Sequence, residues 1–147
     1  MRPSRIVVEV SSTVRRIPIA ADGVRHLVEA TLRAERVRDA MVSVSFVGRT
    51  AMARLNGRYL RRAGATDVIS FGMGRESGML PVVGDIYICV AVGRENAKRF
   101  RLPLREEIAR LVVHGVLHVT GEDHPDDEAR TTSPMWRKQE RILARAR

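Results

Sequence analysis

Three of the four histidines in this chain lie within eleven positions, in the stretch HGVLHVTGEDH at residues 114 to 124. On an α-helix His114 and His118 are one turn apart, so both rings project from one face and can bind a single ion. Gly121 can adopt a positive φ, end the helix and turn the chain back, which brings His124 to the same place. The spacing therefore predicts a metal centre with three imidazole ligands.

Ligation by nitrogen alone, with no cysteine thiolate, favours zinc, and nickel, cobalt or copper remain alternatives on affinity grounds. Three protein ligands leave a fourth tetrahedral position for water, which is the arrangement of a catalytic site. Such an ion lowers the pKa of its bound water from about 15.7 to about 7, so hydrolysis is the expected chemistry. A closed structural site would need a fourth ligand, and the remaining histidine and cysteine, His26 and Cys89, are remote in sequence.

The residue after the first histidine bears on the kind of hydrolase. The spacing H-x3-H-x5-H is also that of the metzincin zinc proteases, but Gly115 stands where those proteases carry their glutamate base. Phosphodiester cleavage depends more on positive charge around the phosphoryl oxygens. The chain has 26 basic and 17 acidic residues, a formal net charge of +9, which favours a polyanionic partner. A nuclease is the favoured interpretation, and a zinc peptidase with an atypical base is the alternative.

Elements that position these residues follow from hydrophobic periodicity. The pattern predicts strands at 5–12, 41–47, 67–71 and 84–92, and a loop or hairpin between the last two. Helices are predicted after a capping Asp22, over about 49–61, over 95–101, from Pro103 to about 119 and from Pro134 onward. The fourth of these is apolar nearly all round, so it must be buried. With 147 residues, one domain is expected.

The second predicted helix carries a row of arginines. At about 100° per residue, one face collects four of them, opposite Met52, Leu55 and Tyr59: Arg54, Arg58, Arg61 and Arg62. This row is either a phosphate-binding surface or a solvated face. The single cysteine and the lack of an apolar stretch of roughly 20 residues lead us to expect a cytoplasmic protein with no membrane segment.

These motifs resemble a known family, the YbeY-type endoribonucleases, which are zinc-dependent factors in bacterial ribosomal RNA maturation. HGVLHVTGEDH looks like their H-G-x-L-H-x-x-G-[YF]-D-H motif, and LNGRYL (55–60), TDVISF (66–71) and GDIYI (84–88) resemble further blocks. The likeness runs from about residue 40 to 145, where Met135, Glu140, Ile142 and Leu143 fit the last helix. It implies an α+β fold over residues 1–147, with a mixed sheet of about four strands packed against about five helices.

The resemblance also implies a function. The substrate would be single-stranded RNA, and the reaction would belong to maturation of the 3′ end of small-subunit (16S) ribosomal RNA and to ribosome quality control. Ribosomal proteins and an Era-type GTPase would be partners. A non-catalytic ribosome-binding factor, in which the ion only fixes the fold, remains a further alternative.

This sequence departs from the family pattern at three positions. Leu60 stands where the family has an arginine near the metal, so Arg61, or Arg58 one helical turn earlier, is the candidate replacement for phosphate binding. Glu122 replaces the aromatic residue before Asp123, and Gly72 replaces a proline.

Four other side chains are candidates for the site. Asp123 is expected either to orient a ligand by accepting its free ring N–H or to be solvated. Asp67 is a candidate base or arginine partner, or else a cap on the strand turn, and Ser70 lies in the same block as Asp67. Trp136 is either a stacking platform for a base or a core residue.

Overall fold

Strands and helices alternate along the chain in the computed structural model, which describes residues 3–72, 81–126 and 128–146. The elements are β1 (Arg5–Ser12), α1 (Ala21–Ala34), β2 (Asp39–Val47), α2 (Arg49–Leu60), β3 (Val68–Gly72), β4 (Val82–Cys89), α3 (Val90–Phe100), α4 (Leu104–Val119) and α5 (Pro134–Ala146), with a short 3-10 helix at Glu128–Thr132.

The four strands form one mixed sheet in the order β1-β2-β4-β3. The β1–β2 and β2–β4 pairs are parallel, and β3 runs antiparallel to β4. The predicted α+β class, with four strands and five α-helices among the described residues, is therefore confirmed. The sheet buries one side most fully, because alternate residues of β2 and β4, such as Val44 and Ile86, face the main core.

Helix α4 lies at the centre of the molecule. It contacts α1, α3, α5, β3 and β4, and ten of its 16 residues are buried, as the all-round apolar pattern predicts. None of the helices in the described ranges, α4 included, is long and apolar enough to cross a bilayer.

Two predicted boundaries are wrong. The strand predicted over 84–92 ends at Cys89, and α3 begins at Val90 rather than Glu95. The apolar run IYICVAV hides this change because Val90 is buried in the helix just as it would be in a strand.

The predicted cap of α1 is also wrong. Asp22 does not cap α1; the capping position is Ala20, and Asp22 lies in the first turn, where it accepts a hydrogen bond from Arg25. Of the predicted loop, residues 73–80 lie outside the described residues.

The arginine row is also shorter than predicted. Helix α2 ends at Leu60, and Arg61 adopts a left-handed conformation with φ of 53°. Arg61 therefore no longer continues the helical face that carries Arg54 and Arg58. On the other side Met52 is buried as expected, while Tyr59 is 53% exposed and packs edge-on against Phe71.

Helix α4 approaches the sheet closely at Gly115. A Cβ atom at this position would lie 2.7 Å from Cγ2 of Ile86 and 3.1 Å from Oγ of Ser70. Position 115 therefore faces the sheet rather than open space. A glutamate base has no room here, which gives a physical reason for the departure from the protease pattern.

We expect Gly115→Ala to lower the free energy of unfolding by about 1–3 kcal/mol, because the added methyl group overpacks the helix–sheet contact. Chemical denaturation monitored by circular dichroism measures this change. Gly57→Ala is the matched control: its added Cβ would have 3.7 Å to the nearest atom, so it should stabilise the helix by about 0.5–1 kcal/mol. Equal effects of the two substitutions would show that α4 does not depend on this close approach.

Candidate metal centre

The end of α4 and the turn after it position the three histidines. Gly121 has φ of 103°, as predicted, and its N–H donates to the carbonyl of His118 at 3.0 Å. The next N–H, of Glu122, donates to the carbonyl of Leu117 at 3.0 Å, which completes a Schellman motif. This turn reverses the chain and brings His124 back to the helix.

The ring nitrogens of the three histidines lie at metal-site spacing. Nε2 of His114 is 3.1 Å from Nε2 of His118 and 3.3 Å from Nε2 of His124. Two nitrogens bound tetrahedrally to zinc at 2.0–2.1 Å are about 3.3 Å apart. His114, His118 and His124 form the one group of metal-ligating side chains found in the described part of the chain.

The other nitrogen of each ring shows which tautomer is present. Nδ1 of His114 lies 2.7 Å from Oε1 of Gln139, and Nδ1 of His118 lies 3.0 Å from the carbonyl oxygen of Glu122. Nδ1 of His124 lies 2.8 Å from the carbonyl oxygen of Pro125. These oxygens can only accept hydrogen bonds, so each Nδ1 carries the proton.

In the neutral rings, all three Nε2 atoms are then unprotonated and direct their lone pairs at one another. Neighbouring lone pairs repel unless a cation lies between them, and a neutral imidazole with its Nδ1–H held by an acceptor is the usual state of a metal ligand. The residues present therefore fit a divalent metal ion bound by His114, His118 and His124.

Neither remote candidate for a fourth ligand reaches this group. His26 on α1 pairs through Nε2 with the carbonyl oxygen of Ala146 at 3.2 Å. Cys89 is buried at the end of β4 in a separate apolar cluster with Val47, Met52 and Ile69. No histidine or cysteine within the described ranges closes the fourth position, as a catalytic rather than structural site requires.

Burial adjusts the protonation of the ligands. Loss of solvent contact lowers the pKa of His114 to about 4 from its ordinary value of 6.5; the hydrogen bond to Gln139 opposes this change, and the nearby His118, His124 and Arg130 add to it. Burial also lowers the pKa of His118. Both rings therefore stay neutral, as metal ligands must, in more acidic solution than ordinary histidines do.

The predicted orienting role of Asp123 is taken by other groups. Oδ1 of Asp123 accepts the backbone N–H of His124 at 2.8 Å, whereas the three ring N–H groups go to Gln139 and to two backbone carbonyls. Asp123 thus shapes the turn that carries His124 rather than holding a ring.

Glu122, which stands where the family has an aromatic residue, belongs to a network of ion pairs next to the turn. Nζ of Lys138 on α5 lies 2.5 Å from Oε2 of Glu122 and 3.0 Å from Oε2 of Glu35, just after α1. Oε1 of Glu35 accepts a hydrogen bond from Thr120 at 3.1 Å. The hydrogen bonds to these carboxylates raise the pKa of Lys138. Two segments remote in sequence, the end of α1 and helix α5, therefore hold the turn that supplies the carbonyl for His118.

A chain of polar side chains leads from His114 to α3, and sequence reasoning did not find it. Gln139, which is fully buried, donates from Nε2 to Glu140 at 3.0 Å, and Glu140 receives two hydrogen bonds of 2.9 Å from Arg110. Arg110 in turn lies 3.5 Å from Glu107. The available signal was the position of Gln139 at core spacing between Met135 and the buried pair Ile142 and Leu143.

The same chain ends at Asp67. The amide of Asn96 donates to Oε2 of Glu107 at 3.3 Å and to Oδ2 of Asp67 at 3.0 Å. Oδ1 of Asp67 accepts the N–H of Val68 at 2.8 Å, so Asp67 does cap the strand turn. Burial raises the pKa of Glu107, and Asn96 and Arg110 oppose that effect.

These residues line a cavity of about 380 Å³ beside the metal ligands. Its walls come from β3, α3, α4, the 3-10 helix and α5, and they include Asp67, His114, Arg130 and Trp136. Trp136 is half-buried and faces this cavity rather than the main core.

Three other predicted site residues do not line this cavity. Arg58 and Arg61 are exposed and lie outside it, so their role in phosphate binding stays a prediction. Ser70 lies behind Gly115, and its buried Oγ has no hydrogen-bond partner among the described residues.

Comparison with known proteins accounts for this combination of fold and ligands. The sequence profile described as Endoribonuclease YbeY matches residues 9–147. The chain belongs to the YbeY endoribonuclease family. The match begins well before residue 40, where the resemblance of the motifs began, so the N-terminal strand and helix are part of the family domain.

Individual YbeY relatives agree with the profile. An Endoribonuclease YbeY from Syntrophus aciditrophicus is 30% identical over 141 residues, covering 94% of this chain and 88% of that protein. Another from Geobacillus kaustophilus is 37% identical over 121 residues, or 76% of each chain. A solution structure of a Thermotoga maritima protein has the same fold, with a TM-score of 0.63, 22% identity and coverage of 95% of this chain and 89% of the other. This YbeY-family chain is accordingly a nuclease whose histidine triad can bind a metal.

The metal-free protein should lose stability as pH falls from 6.5 toward 4. In that range the unfolded chain binds a proton at His114 that the folded chain does not, so the free energy of unfolding decreases with decreasing pH. A pKa difference between 6.5 and about 4 corresponds to roughly 3 kcal/mol. Urea denaturation across this pH range measures it. A His114→Asn variant should show a weaker dependence; an unchanged slope would exclude His114 as its source.

Replacing Gln139 by methionine should weaken metal binding by about 10- to 100-fold, because it removes the acceptor that fixes the ring and tautomer of His114. Competition with a chromophoric chelator measures the affinity. Arg137→Met changes an exposed neighbour on the same helix and serves as the control. If both variants bind metal as the unmodified protein does, then Gln139 only fills space.

Proposed function

We propose that this chain is a single-strand-specific, zinc-dependent endoribonuclease that acts in the cytoplasm on the 3′ end of small-subunit ribosomal RNA and in ribosome quality control. Small-subunit ribosomal proteins and an Era-type GTPase are the partners proposed with it. The observation that carries the proposal is the convergence of the Nε2 atoms of three histidines, one of which, His114, also lines a cavity. The curated relatives, which are named endoribonucleases, support the reaction class.

The site favours phosphodiester over peptide cleavage. Peptide hydrolysis of the H-E-x-x-H type needs a carboxylate next to the first histidine, and here that position is Gly115, which is packed against Ile86. Cationic groups near the ligands suit a phosphodiester instead. Arg130 lines the cavity with His114 and is close enough to lower the pKa of that histidine.

Each described residue has a distinct task in this proposal. His114, His118 and His124 would hold a divalent ion, which supplies Lewis acidity and lowers the pKa of bound water from about 15.7 to about 7. Gln139 keeps the Nε2 lone pair of His114 free by accepting its Nδ1–H. Arg130 stabilises negative charge on the phosphoryl oxygens. Asp67 lines the same cavity and is the candidate proton acceptor.

His118→Ala tests catalysis at this centre. We expect a folded protein that no longer cleaves single-stranded RNA, while the unmodified protein cleaves it, spares duplex RNA and loses activity to a chelator that zinc reverses. Casein and RNA are offered in parallel, with circular dichroism as the check on folding. Cleavage of casein alone would support the peptidase alternative, and ribosome binding without RNA cleavage would support a structural metal.

Alanine substitutions at three arginines test which side chain contacts the scissile phosphate. Arg130→Ala should lower kcat/KM by roughly 10- to 100-fold, as loss of a hydrogen bond to a charged group does. Arg58→Ala and Arg61→Ala, on the exposed surface of and just after α2, should change kcat/KM by less than about fivefold. A larger loss at Arg58 or Arg61 than at Arg130 would assign the phosphate contact to those residues instead.

A further inference from the structure

We propose that the cavity beside the metal centre is a nucleobase-binding subsite, which takes up one unpaired base of the RNA strand while its phosphate lies at the histidines. This inference rests on the proposed function and names how the substrate is held. His114 is shared by both places: its Nε2 faces the other ligands, and its ring forms part of the cavity wall. Continuity between the two places is the first support for the assignment.

The size and walls of the cavity suit a flat aromatic ligand. A volume of about 380 Å³ lies within the roughly 300–1,000 Å³ range of small-molecule pockets. Phe100 at the end of α3 and Trp136 on α5 contribute aromatic surface, and Leu102 and Leu111 contribute aliphatic surface. Aromatic side chains next to a nuclease centre are the usual platforms for bases of single strands.

Among these residues, Phe100 supports a stacking platform most strongly. It is 59% exposed, more than any other large hydrophobic residue found exposed in the described ranges. It is flanked by two arginines, and the guanidinium of Arg99 lies 5.9 Å from its ring centroid. An exposed aromatic ring with a guanidinium beside it, in the wall of a cavity, matches the combination of stacking and phosphate attraction that binds single-stranded nucleic acid.

The polar side chains that line the cavity include hydrogen-bond acceptors as well as the guanidinium of Arg130. Asp67 and Glu107 carry carboxylates, and the amide N–H groups of Asn96 are already directed at them. The donors of Arg110 are directed largely at Glu140. Acceptors recognise bases through N–H groups, so guanine, which presents a ring N–H beside an exocyclic amino group, should bind more tightly than uracil, which has no amino group.

This arrangement also supplies a reason for preferring single strands. A base can enter a lateral cavity only after it leaves the stack, and in a duplex that step requires a few kcal/mol to break pairing and stacking. An unpaired nucleotide avoids most of this cost. The cavity would therefore select for unpaired RNA without reading an extended sequence.

Trp136 makes the proposal directly measurable, because it is the only tryptophan of the chain and lines the cavity. We expect guanosine monophosphate to quench its fluorescence saturably in the metal-free protein, with uridine monophosphate binding more weakly and ribose 5-phosphate causing no quenching. Absence of saturable quenching by any nucleotide, or equal quenching by ribose 5-phosphate, would overturn the proposal. Equal affinity for the two nucleotides would overturn the preference for amino-bearing bases.

Substitutions at Phe100 test the stacking platform. Phe100→Ala should weaken nucleotide binding by roughly 5- to 150-fold, the range that corresponds to base stacking, and Phe100→Tyr should restore it. Met41→Ala is the matched control, because Met41 is 57% exposed on β2 and does not line the cavity. Phe100 is exposed enough that its replacement should leave the fold intact. Unchanged binding by Phe100→Ala would exclude the platform.

Cleavage of RNA with a single abasic nucleotide separates this inference from the proposed function. One abasic position near the cleaved bond should slow cleavage, and its effect should not add to that of Phe100→Ala, because both remove the same contact. Cleavage that ignores every abasic position, without nucleotide quenching, would refute the subsite and leave the nuclease standing. Nucleotide quenching without RNA cleavage would refute the nuclease and leave the subsite standing.

Discussion

The whole centre depends on one arrangement: three imidazoles that turn unprotonated nitrogens toward a shared point. Each ring is held in this state by an oxygen behind it, from Gln139 for one and from two backbone carbonyls for the others. Without a cation the lone pairs oppose each other, so the fold must hold them together by other contacts. The long buried helix, its glycine-ended turn and the last helix together provide that restraint.

The close approach of α4 to the sheet determines which chemistry the helix can carry. Gly115 brings the helix backbone against Ile86, so the helix face that carries Gly115 packs on the sheet and has no room for a larger side chain. Other elements supply the remaining polar side chains around the cavity: Arg130 from the 3-10 helix, Asp67 from just before β3 and Gln139 from α5. The centre is consequently an assembly of several segments around a fixed pair of ligands.

What could be predicted from the sequence was local. Helical spacing predicted that His114 and His118 share one face, and the conformational freedom of glycine predicted the turn at Gly121, where φ is 103°. Gln139 was missed because its hydrogen bond to His114 joins residues far apart in the chain, and Arg130 was missed because only the folded chain places it at the cavity. The end of β4 was misplaced because a buried strand and a buried helix have the same apolar composition. Arg61 left its predicted face because the helix stopped one residue earlier.

Lys138 links the beginning of the chain to the ligands near its end. It joins Glu35, just after the first helix, to Glu122 in the turn before His124. The first 35 residues contain no ligand, yet they brace the segment that presents one. We therefore expect substitutions in that N-terminal region to change the affinity of the histidines for a metal ion, even where the sheet keeps its structure.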